Sequence, residues 1–390
     1  MSNFQHLDAL LSSFTRSGPA GCACMVVKDG KILYEGYHGY ADLDKQTPIT
    51  PGTVYRLYSM TKVIVCTAAL MLFERGKFLL HEPLSDYIPE FKHAHVFHLD
   101  ESGQPVAMPA KKPVLIRDAL TMSVGLPNPH WSDTPTGHAL NQVYDRLVAQ
   151  HQGKFTLQDA VRTVISEVPM AFEPGEHWMY GLGHDIVAAL IEVVSGKTIG
   201  RFLQEEIFDP LGMKDTGYRY RGDIAERMAT CYQFTPEGER VATAGLFDAF
   251  HAPDATYEGG GSGLYSTLRD YMAFSQMLAN GGEYLGERLI GRKTIDLMRT
   301  NFLDETRLSE FRSSPYYAGY GYGLGVRTLM DRAAGNSNSS PGEFGWSGLA
   351  GTWTSIDPNE QLAIVYMHQT FPHMEIYHHL RVRAAVYGAI

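Results

Sequence analysis

Charged side chains are scarce in this sequence, and those present are not concentrated in any one segment. They make up 19% of the 390 residues, the formal net charge is −10, and no cluster of lysine and arginine stands out. Nucleic acids and anionic membranes attract proteins through basic clusters, so neither is expected as a partner. No apolar run is long enough to span a bilayer, so no membrane segment is expected either.

Cysteine is rare in this sequence. Cys22, Cys24, Cys66 and Cys231 are spaced neither as a disulfide framework nor as a zinc site. The first residues lack the basic and apolar segments of a signal peptide, and together these features predict a cytoplasmic protein. The histidine-containing tract 92–98 has no Asp, Glu or Cys at ligand spacing, so no metal and no other cofactor is predicted.

Strand-like segments occur near both ends of the chain. Residues 21–27 and 32–40 flank an Asp-Gly turn and predict a hairpin. In the last third, residues 320–328, 351–356 and 363–368 also predict strands. These segments predict one sheet to which both ends of the chain contribute.

The middle of the chain has mostly helical patterns. Residues 127–170 predict helices, whereas the prolines of residues 80–113 predict an irregular segment and the glycines of residues 259–263 predict a loop. Hydrophobic residues account for 44% of the chain, which is ample for a core.

The order of these segments predicts a two-lobed α/β (α+β) protein. One lobe, with the sheet, is expected from residues 1–80 and 255–390, and a mainly helical lobe from residues 81–254. We expect the active site in the cleft between the two lobes.

The strongest chemical signal is the pattern S-x-x-K from Ser59 to Lys62. The apolar run 63–73 follows it and ends before Gly76, which predicts a helix buried on most sides. Ser59 and Lys62, three residues apart, then lie on one helical face. A serine hydroxyl becomes a nucleophile when a base takes its proton, and a lysine in an apolar setting can be that base. The alternative is that Ser59 caps the helix and Lys62 is solvated.

Two further stretches, at Tyr180 and at Trp346-Ser347-Gly348, complete a pattern of three motifs. With them the sequence resembles the serine β-lactamase and penicillin-binding protein superfamily, and within it most of all the family VIII carboxylesterases, which look like class C β-lactamases. The resemblance extends over about residues 5–388. It implies a β-lactamase-like fold, in which an antiparallel central sheet is flanked by helices.

The resemblance also implies catalytic roles. Ser59 would be the nucleophile, and Lys62 and Tyr180 would exchange protons with it and with the leaving group. The backbone N–H groups of Ser59 and Leu349 would form the oxyanion hole. For Tyr180 the alternative is a packed core residue with a satisfied hydroxyl.

The sequence departs from the β-lactamase motifs at two points. The motif Y-x-N is replaced by Tyr180-Gly181-Leu182, without an asparagine for an acylamide side chain. The motif K-T-G is replaced by Trp346-Ser347-Gly348, without a lysine for the substrate carboxylate. Trp346, Ser347, Gly348 and Leu182 are therefore expected to bind a neutral substrate, with Trp346 as an aromatic wall and Gly348 permitting close approach. The alternative for Trp346 is a packed residue of the sheet.

These motifs predict a serine hydrolase that cleaves small-molecule carboxylic esters with short to medium acyl groups through a Ser59 acyl-enzyme. No G-x-S-x-G sequence is present, which excludes the nucleophile elbow of α/β-hydrolases. A β-lactamase, a D-Ala-D-Ala peptidase-like amide hydrolase and an acyltransferase remain alternatives. The intact set of Ser59, Lys62 and Tyr180 argues against a non-catalytic sensor. Association into a homo-oligomer is left open.

Overall fold

The computed structural model of the protein describes residues 3–390, with strands near both ends of the chain and helices concentrated between them. The strands are β1 Gly21–Lys28, β2 Lys31–Asp42, β3 Thr47–Pro48, β4 Val54–Arg56, β5 His95–Leu99, β6 Pro105–Pro109, β7 Cys231–Phe234, β8 Arg240–Thr243, β9 Tyr265–Thr267, β10 Glu283–Tyr284, β11 Glu287–Arg288, β12 Tyr320–Tyr322, β13 Arg327–Leu329, β14 Phe344–Gly345, β15 Trp353–Asp357, β16 Leu362–Met367 and β17 Thr370–Phe371. The helices are α1 Gln5–Ser17, α2 Thr61–Glu74, α3 Ile116–Leu120, α4 Pro135–Gln150, α5 Leu157–Glu167, α6 Gly183–Ser195, α7 Ile199–Leu203, α8 Asp209–Leu211, α9 Ile224–Arg227, α10 Leu268–Ala279, α11 Arg292–Met298, α12 Glu305–Phe311 and α13 Glu375–Tyr387.

An eight-stranded sheet is the centre of the fold. Its strand order is β12-β13-β14-β15-β16-β1-β2-β3, and each neighbouring pair is antiparallel. The two ends of the chain meet where β1 pairs with β16, from Ala23 opposite Met367 to Lys28 opposite Leu362. This sheet and its flanking helices confirm the predicted α/β fold with an antiparallel sheet drawn from both ends. The boundaries of the two lobes stay a prediction.

The two faces of the sheet carry separate layers of helices. Because side chains alternate along a strand, Cys22 and Cys24 of β1 point to one face and Ala23 and Met25 to the other. The cysteines pack with residues of α1 and α13, whereas Ala23 and Met25 join the larger core that contains α2 and α10. All four cysteines are buried and unpaired, and Cys22 and Cys24 fill the core as predicted.

Helix α2 runs through the interior beneath the sheet. Every residue from Thr61 to Leu72 is buried, which agrees with the prediction from its uninterrupted apolar sequence. A 3-10 turn, Tyr58–Met60, leads into the helix and places Ser59 at its start. Tyr58 has φ of +45°, an uncommon value for a large side chain, so the backbone beside Ser59 is strained.

Two predictions of local structure were wrong. Residues 320–328 form two short antiparallel strands, β12 and β13, because the chain turns at Gly323–Gly325, where Gly325 has φ of +91°. Residues 80–113 contain the hairpin of β5 and β6, in which the prolines stand at the ends of an exposed edge strand where no ladder donor is needed. In residues 127–170 the predicted helices are present as α4 and α5.

Across residues 3–390, every helix is too short or too polar to cross a membrane.

Candidate active site

Two polar side chains converge on the hydroxyl of Ser59. The Tyr180 hydroxyl donates a hydrogen bond to Ser59 Oγ over 2.7 Å, and Lys62 Nζ donates to the same oxygen over 3.3 Å. Lys62 Nζ also lies 4.7 Å from the centre of the Tyr180 ring. Both polar groups are thus within hydrogen-bond reach of Ser59 Oγ, which is the arrangement that proton exchange with the serine requires, and the catalytic roles stay a prediction.

Lys62 is held by a backbone carbonyl as well as by Ser59. Its Nζ donates to the carbonyl oxygen of Gly261 over 2.6 Å, and its side chain is buried. The N–H of Gly261 donates over 3.3 Å to Asp185 Oδ1, which also accepts from the Tyr257 hydroxyl over 3.2 Å. A Cβ at residue 261 would lie 2.8 Å from Asp185 Oδ2 and 3.3 Å from Lys62 Nζ. The glycine-rich loop therefore connects the lysine to a buried carboxyl group, and a side chain at this position would separate them.

The two residues that open helix α6 differ in charge. Burial raises the pKa of the Asp185 carboxyl, and the charge of Lys62 and the hydrogen bond from Gly261 oppose this rise. Burial, together with the charge of Lys62, lowers the pKa of His184 to about 3, so its imidazole is neutral. The His184 Nε2–H donates to the carbonyl of Leu120 over 3.2 Å. Asp185 is therefore the member of the pair that can carry charge beside Lys62.

Trp346 lies beside Tyr180 as part of a row of aromatic rings. Its ring stacks at 5.8 Å from the Tyr180 ring and at 5.7 Å from the Tyr317 ring, and it meets the edge of Tyr322 at 5.3 Å. Its Nε1–H donates to the Tyr180 hydroxyl over 3.3 Å. Trp346 is thus packed against the sheet residue Tyr322 and also bonded to Tyr180, and its role in binding a substrate stays a prediction.

The residues after Trp346 bring the backbone close to the start of α2. A Cβ on Gly348 would overlap the carbonyl oxygen of Leu57, so only glycine fits there. The next residue, Leu349, has an N–H that donates to no backbone carbonyl outside regular elements of residues 3–390. The N–H of Ser59 belongs to the first turn of a helical segment, where donors have no intrahelical acceptor. Both N–H groups are free for the oxyanion role, which stays a prediction.

One cavity of about 630 Å³ contains all the residues that the sequence analysis selected, a volume typical of small-molecule sites. Its lining includes Ser59, Lys62, Tyr180, Leu182, Trp346, Ser347, Gly348 and Leu349. It also includes residues that the sequence analysis missed, among them Asn128, Trp131, Tyr144, Asp145, Val148, Asp185, Phe247, Tyr257, Tyr317, His373 and Glu375. Helix α4 and the loop before it thus cover part of the cavity. The missed residues come from seven separate stretches of the chain, and no local pattern could have gathered them.

The chain belongs to the beta-lactamase family, because the model of that family matches residues 6–387. The protein Rv1367c of Mycobacterium tuberculosis is 30% identical over 363 residues, which is 92% of this chain and 87% of that protein. Esterase EstB of Burkholderia gladioli is 28% identical over 384 residues, which is 93% of this chain and 90% of the esterase.

Among solved structures, the chain superposes on EstCE1, a hydrolase with promiscuous acyltransferase activity. The TM-score is 0.79 at 23% identity, over 99% of this chain and 97% of the other. This likeness shows the fold, and the family match confirms the resemblance to the serine β-lactamase superfamily. The protein is therefore a serine hydrolase of the β-lactamase fold.

Proposed function

We propose that this protein is a carboxylesterase that cleaves small-molecule esters of short to medium acyl length through an acyl-enzyme on Ser59. The observation that carries the proposal is the convergence of Tyr180 and Lys62 on Ser59 Oγ, at 2.7 and 3.3 Å, opposite an uncharged aromatic ring. No metal or organic cofactor takes part in the proposed reaction.

The first half of the reaction acylates the serine. The proton of the Ser59 hydroxyl passes to the pair of Lys62 and Tyr180, with Lys62 acting as the neutral amine, as the serine oxygen attacks the ester carbonyl. The N–H groups of Ser59 and Leu349 hold the negative oxygen of the tetrahedral intermediate, and charge stabilisation of this kind is often the largest catalytic contribution. Tyr180 then protonates the leaving alcohol. In the second half, water gives a proton to the same pair as its oxygen attacks the acyl carbon, and this proton returns to Ser59 Oγ as the bond to the acyl group breaks and the acid leaves.

The wall opposite Ser59 favours a neutral ester over a penicillin or a D-Ala-D-Ala peptide. A lysine at the third motif would supply a positive charge for a substrate carboxylate, and Trp346 supplies none. Among the residues that line the cavity, Lys62 is the one lysine and no arginine is present, and Lys62 is already bonded to Gly261 and Ser59. A substrate carboxylate would thus find no free cation. The similarity to esterase EstB supports the same choice.

An acyltransferase that uses an alcohol acceptor is the second candidate. A cavity of about 630 Å³ can hold an acyl group and a second molecule together. EstCE1 combines hydrolysis with acyl transfer on the same fold. The two activities share the acyl-enzyme and differ only in whether water or an alcohol removes the acyl group.

A cytoplasmic location is part of the proposal. Four unpaired cysteines, Cys22, Cys24, Cys66 and Cys231, suit a reducing compartment. All four are buried, and burial raises the pKa of each thiol, for Cys22 to about 12, so they are unreactive core residues.

The test is hydrolysis of a series of p-nitrophenyl esters by the wild type and by Ser59→Ala, with a chromogenic cephalosporin and a D-Ala-D-Ala peptide beside them. We expect fast ester cleavage, weak turnover of the two amides, and loss of about 10⁴-fold or more in kcat/KM for Ser59→Ala. A fluorophosphonate should add its mass to the peptide that contains Ser59. Added alcohols report transfer through the ester that they form.

The matched control is Ser313→Ala, since Ser313 is an exposed serine outside the cavity lining. It should retain wild-type rates. Cephalosporin or peptide turnover that exceeds ester turnover would replace the esterase proposal by the amide hydrolase. Ester hydrolysis that persists in Ser59→Ala would exclude the mechanism.

A further inference from the structure

The cavity carries more negative than positive side chains. Its lining contains the carboxyl groups of Asp145, Asp185 and Glu375 and a single lysine, Lys62. Asp185 is tied to the lysine through Gly261, and Asp145 lies 3.3 Å from the imidazole of His130. Glu375 is the carboxyl group that bonds a residue of the third motif, Ser347.

Glu375 is the first residue of helix α13, and its side chain is turned toward the third motif. Glu375 Oε2 accepts a hydrogen bond from the Ser347 hydroxyl over 3.2 Å and lies 3.7 Å from His373 Nδ1. The side chain is 17% exposed. An acidic residue is common at a helix N-terminus. Here, however, the carboxyl group bonds a side chain of the cavity wall.

Aromatic rings line the same cavity as this carboxyl group. Ser347 follows Trp346, whose ring is stacked on those of Tyr317 and Tyr180, with interplanar angles of 12° and 18°. Because these rings stack on one another, the attraction for a cation at this wall comes from the ionised form of the Glu375 carboxyl group. This carboxyl group, in the same cavity as Ser59, can pair with an ammonium group.

We propose that Glu375 selects esters that carry a cationic ammonium group, which binds beside its carboxyl group while the ester carbonyl lies at Ser59. Esters that carry a carboxylate are disfavoured at the same place, because like charges repel strongly where water is excluded. This inference rests on the proposed esterase function and makes cationic esters, ahead of neutral ones, its preferred substrates.

The test compares pairs of esters that have the same shape and differ in charge. In the first pair, butyrylcholine is compared with the ester in which a quaternary carbon replaces the nitrogen. In the second pair, the trimethylammonium group and its carbon isostere lie on the acyl side of a p-nitrophenyl ester. The two pairs cover both orientations of the substrate. For one pair at least, we expect the wild type to prefer the cation by roughly tenfold in kcat/KM.

The variant Glu375→Gln retains an acceptor for Ser347 and removes the charge. It should lower the cation-to-neutral ratio about tenfold, and this ratio cancels differences in intrinsic reactivity between the esters. The control Glu360→Gln removes a carboxylate that is bonded to Lys28 and lies outside the cavity lining, so it should leave the ratio unchanged. Equal ratios in the wild type and Glu375→Gln for both pairs would overturn the inference.

A second measurement needs no variant. Tetramethylammonium chloride should inhibit hydrolysis of a neutral ester competitively, whereas sodium chloride at equal ionic strength should not, and equal effects of the two salts would count against the inference. If the wild type hydrolyses neither pair of esters faster than Ser59→Ala does, the proposed esterase function fails, and the cation site is left to be tested by binding. Calorimetric binding of tetramethylammonium to the wild type and to Glu375→Gln then decides whether the cation site exists.

Discussion

The cavity has two sides that are built in different ways. The reaction corner, formed by Ser59, Lys62 and Tyr180, is joined by hydrogen bonds to one serine oxygen. The recognition wall, formed by Trp346, Ser347, Tyr317 and Glu375, consists of stacked rings and one carboxyl group. The Trp346 N–H to Tyr180 hydroxyl bond connects the two. Proton transfer requires fixed distances between polar atoms, whereas recognition depends on the shape and charge of a surface, so the wall can change while the corner stays the same.

The largest effects should come from breaking the reaction corner. Lys62→Met and Tyr180→Phe keep most of the volume of each side chain and remove its proton-exchanging atom. Each should lower kcat by about 10³-fold, and the double variant should lose little more, because residues that move one proton act as a unit. Steady-state kinetics on a p-nitrophenyl ester measures this.

The matched control for the corner is Tyr284→Phe, since Tyr284 lies outside the cavity lining. Wild-type kcat is expected for it. The fold-loss in kcat of the double variant is then compared with the product of the two single-variant losses. If the two values are equal, Lys62 and Tyr180 act independently.

A smaller loss is expected behind the corner, at Asp185. Asp185→Asn removes the ionisable carboxyl group that is linked to Lys62 through Gly261 and should lower kcat by about ten- to hundredfold with little change in KM. Tyr257→Phe removes one hydrogen bond to Asp185 and keeps the carboxyl group, so its loss should be smaller. An Asp185→Asn enzyme with wild-type kcat would restrict Asp185 to a structural role.

The stability of the same variant should depend on pH in a definite direction. Burial raises the pKa of Asp185, so the folded protein keeps this proton at pH values where the unfolded chain has lost it. The carboxyl group therefore favours folding below its ordinary pKa, and this contribution is lost as the pH rises through the raised pKa. Urea unfolding should show wild-type stability declining relative to Asp185→Asn over that range, and a constant difference would contradict this account.

The sequence predicts the reaction corner better than the recognition wall, for a physical reason. Ser59 and Lys62 lie one helical turn apart, so their proximity follows from local geometry. Tyr180 and Trp346 are found through the resemblance, which supplies the spatial partners that spacing cannot. Glu375 has no such motif, because it opens a helix at the far end of the chain and reaches Ser347 only in the folded protein.

The fold shows the same division between local and tertiary information. The hairpin of β1 and β2 follows from an Asp-Gly turn between two apolar runs, and α2 follows from a run without breakers. Residues 320–328 are misread because their glycines suit both a strand and a turn, and pairing of β12 with β13 decides the outcome. The hairpin of β5 and β6 is missed because prolines in a sequence argue against a strand. Proline is tolerated at the ends of the edge strand β6, and only the pairing with β5 in the folded protein shows that these positions are strand ends.

The part of the cavity wall that α4 contributes should set the size of the substrate. Val148 of α4 lines the cavity together with Trp131 and Phe247. Val148→Trp should lower the ratio of kcat/KM for a bulky ester to that for an acetyl ester by roughly tenfold, because the larger ring fills space that only the bulky ester needs. Val193→Trp is the control, since Val193 is exposed on α6 outside the lining. A kcat/KM ratio in Val148→Trp equal to that of the wild type would show that the bulky group of the ester does not bind next to Val148.

The smallest effect should be a pH dependence of the recognition wall. Burial raises the pKa of Glu375, an effect opposed by the positive charges of His373 and Arg327. The hydroxyls of Tyr316 and Tyr317 also face this carboxyl group and stay neutral, since burial raises the pKa of both.

Below its raised pKa, Glu375 is protonated and cannot favour a cation. The cation-to-neutral ratio of kcat/KM should therefore rise a few-fold as the pH increases through that pKa, and then level off. Ionisation in the reaction corner affects both esters of a pair equally and cancels in the ratio. Glu375→Gln removes the titrating carboxyl group and should therefore flatten the slope. A slope equal to that of the wild type would show that Glu375 does not cause the pH dependence.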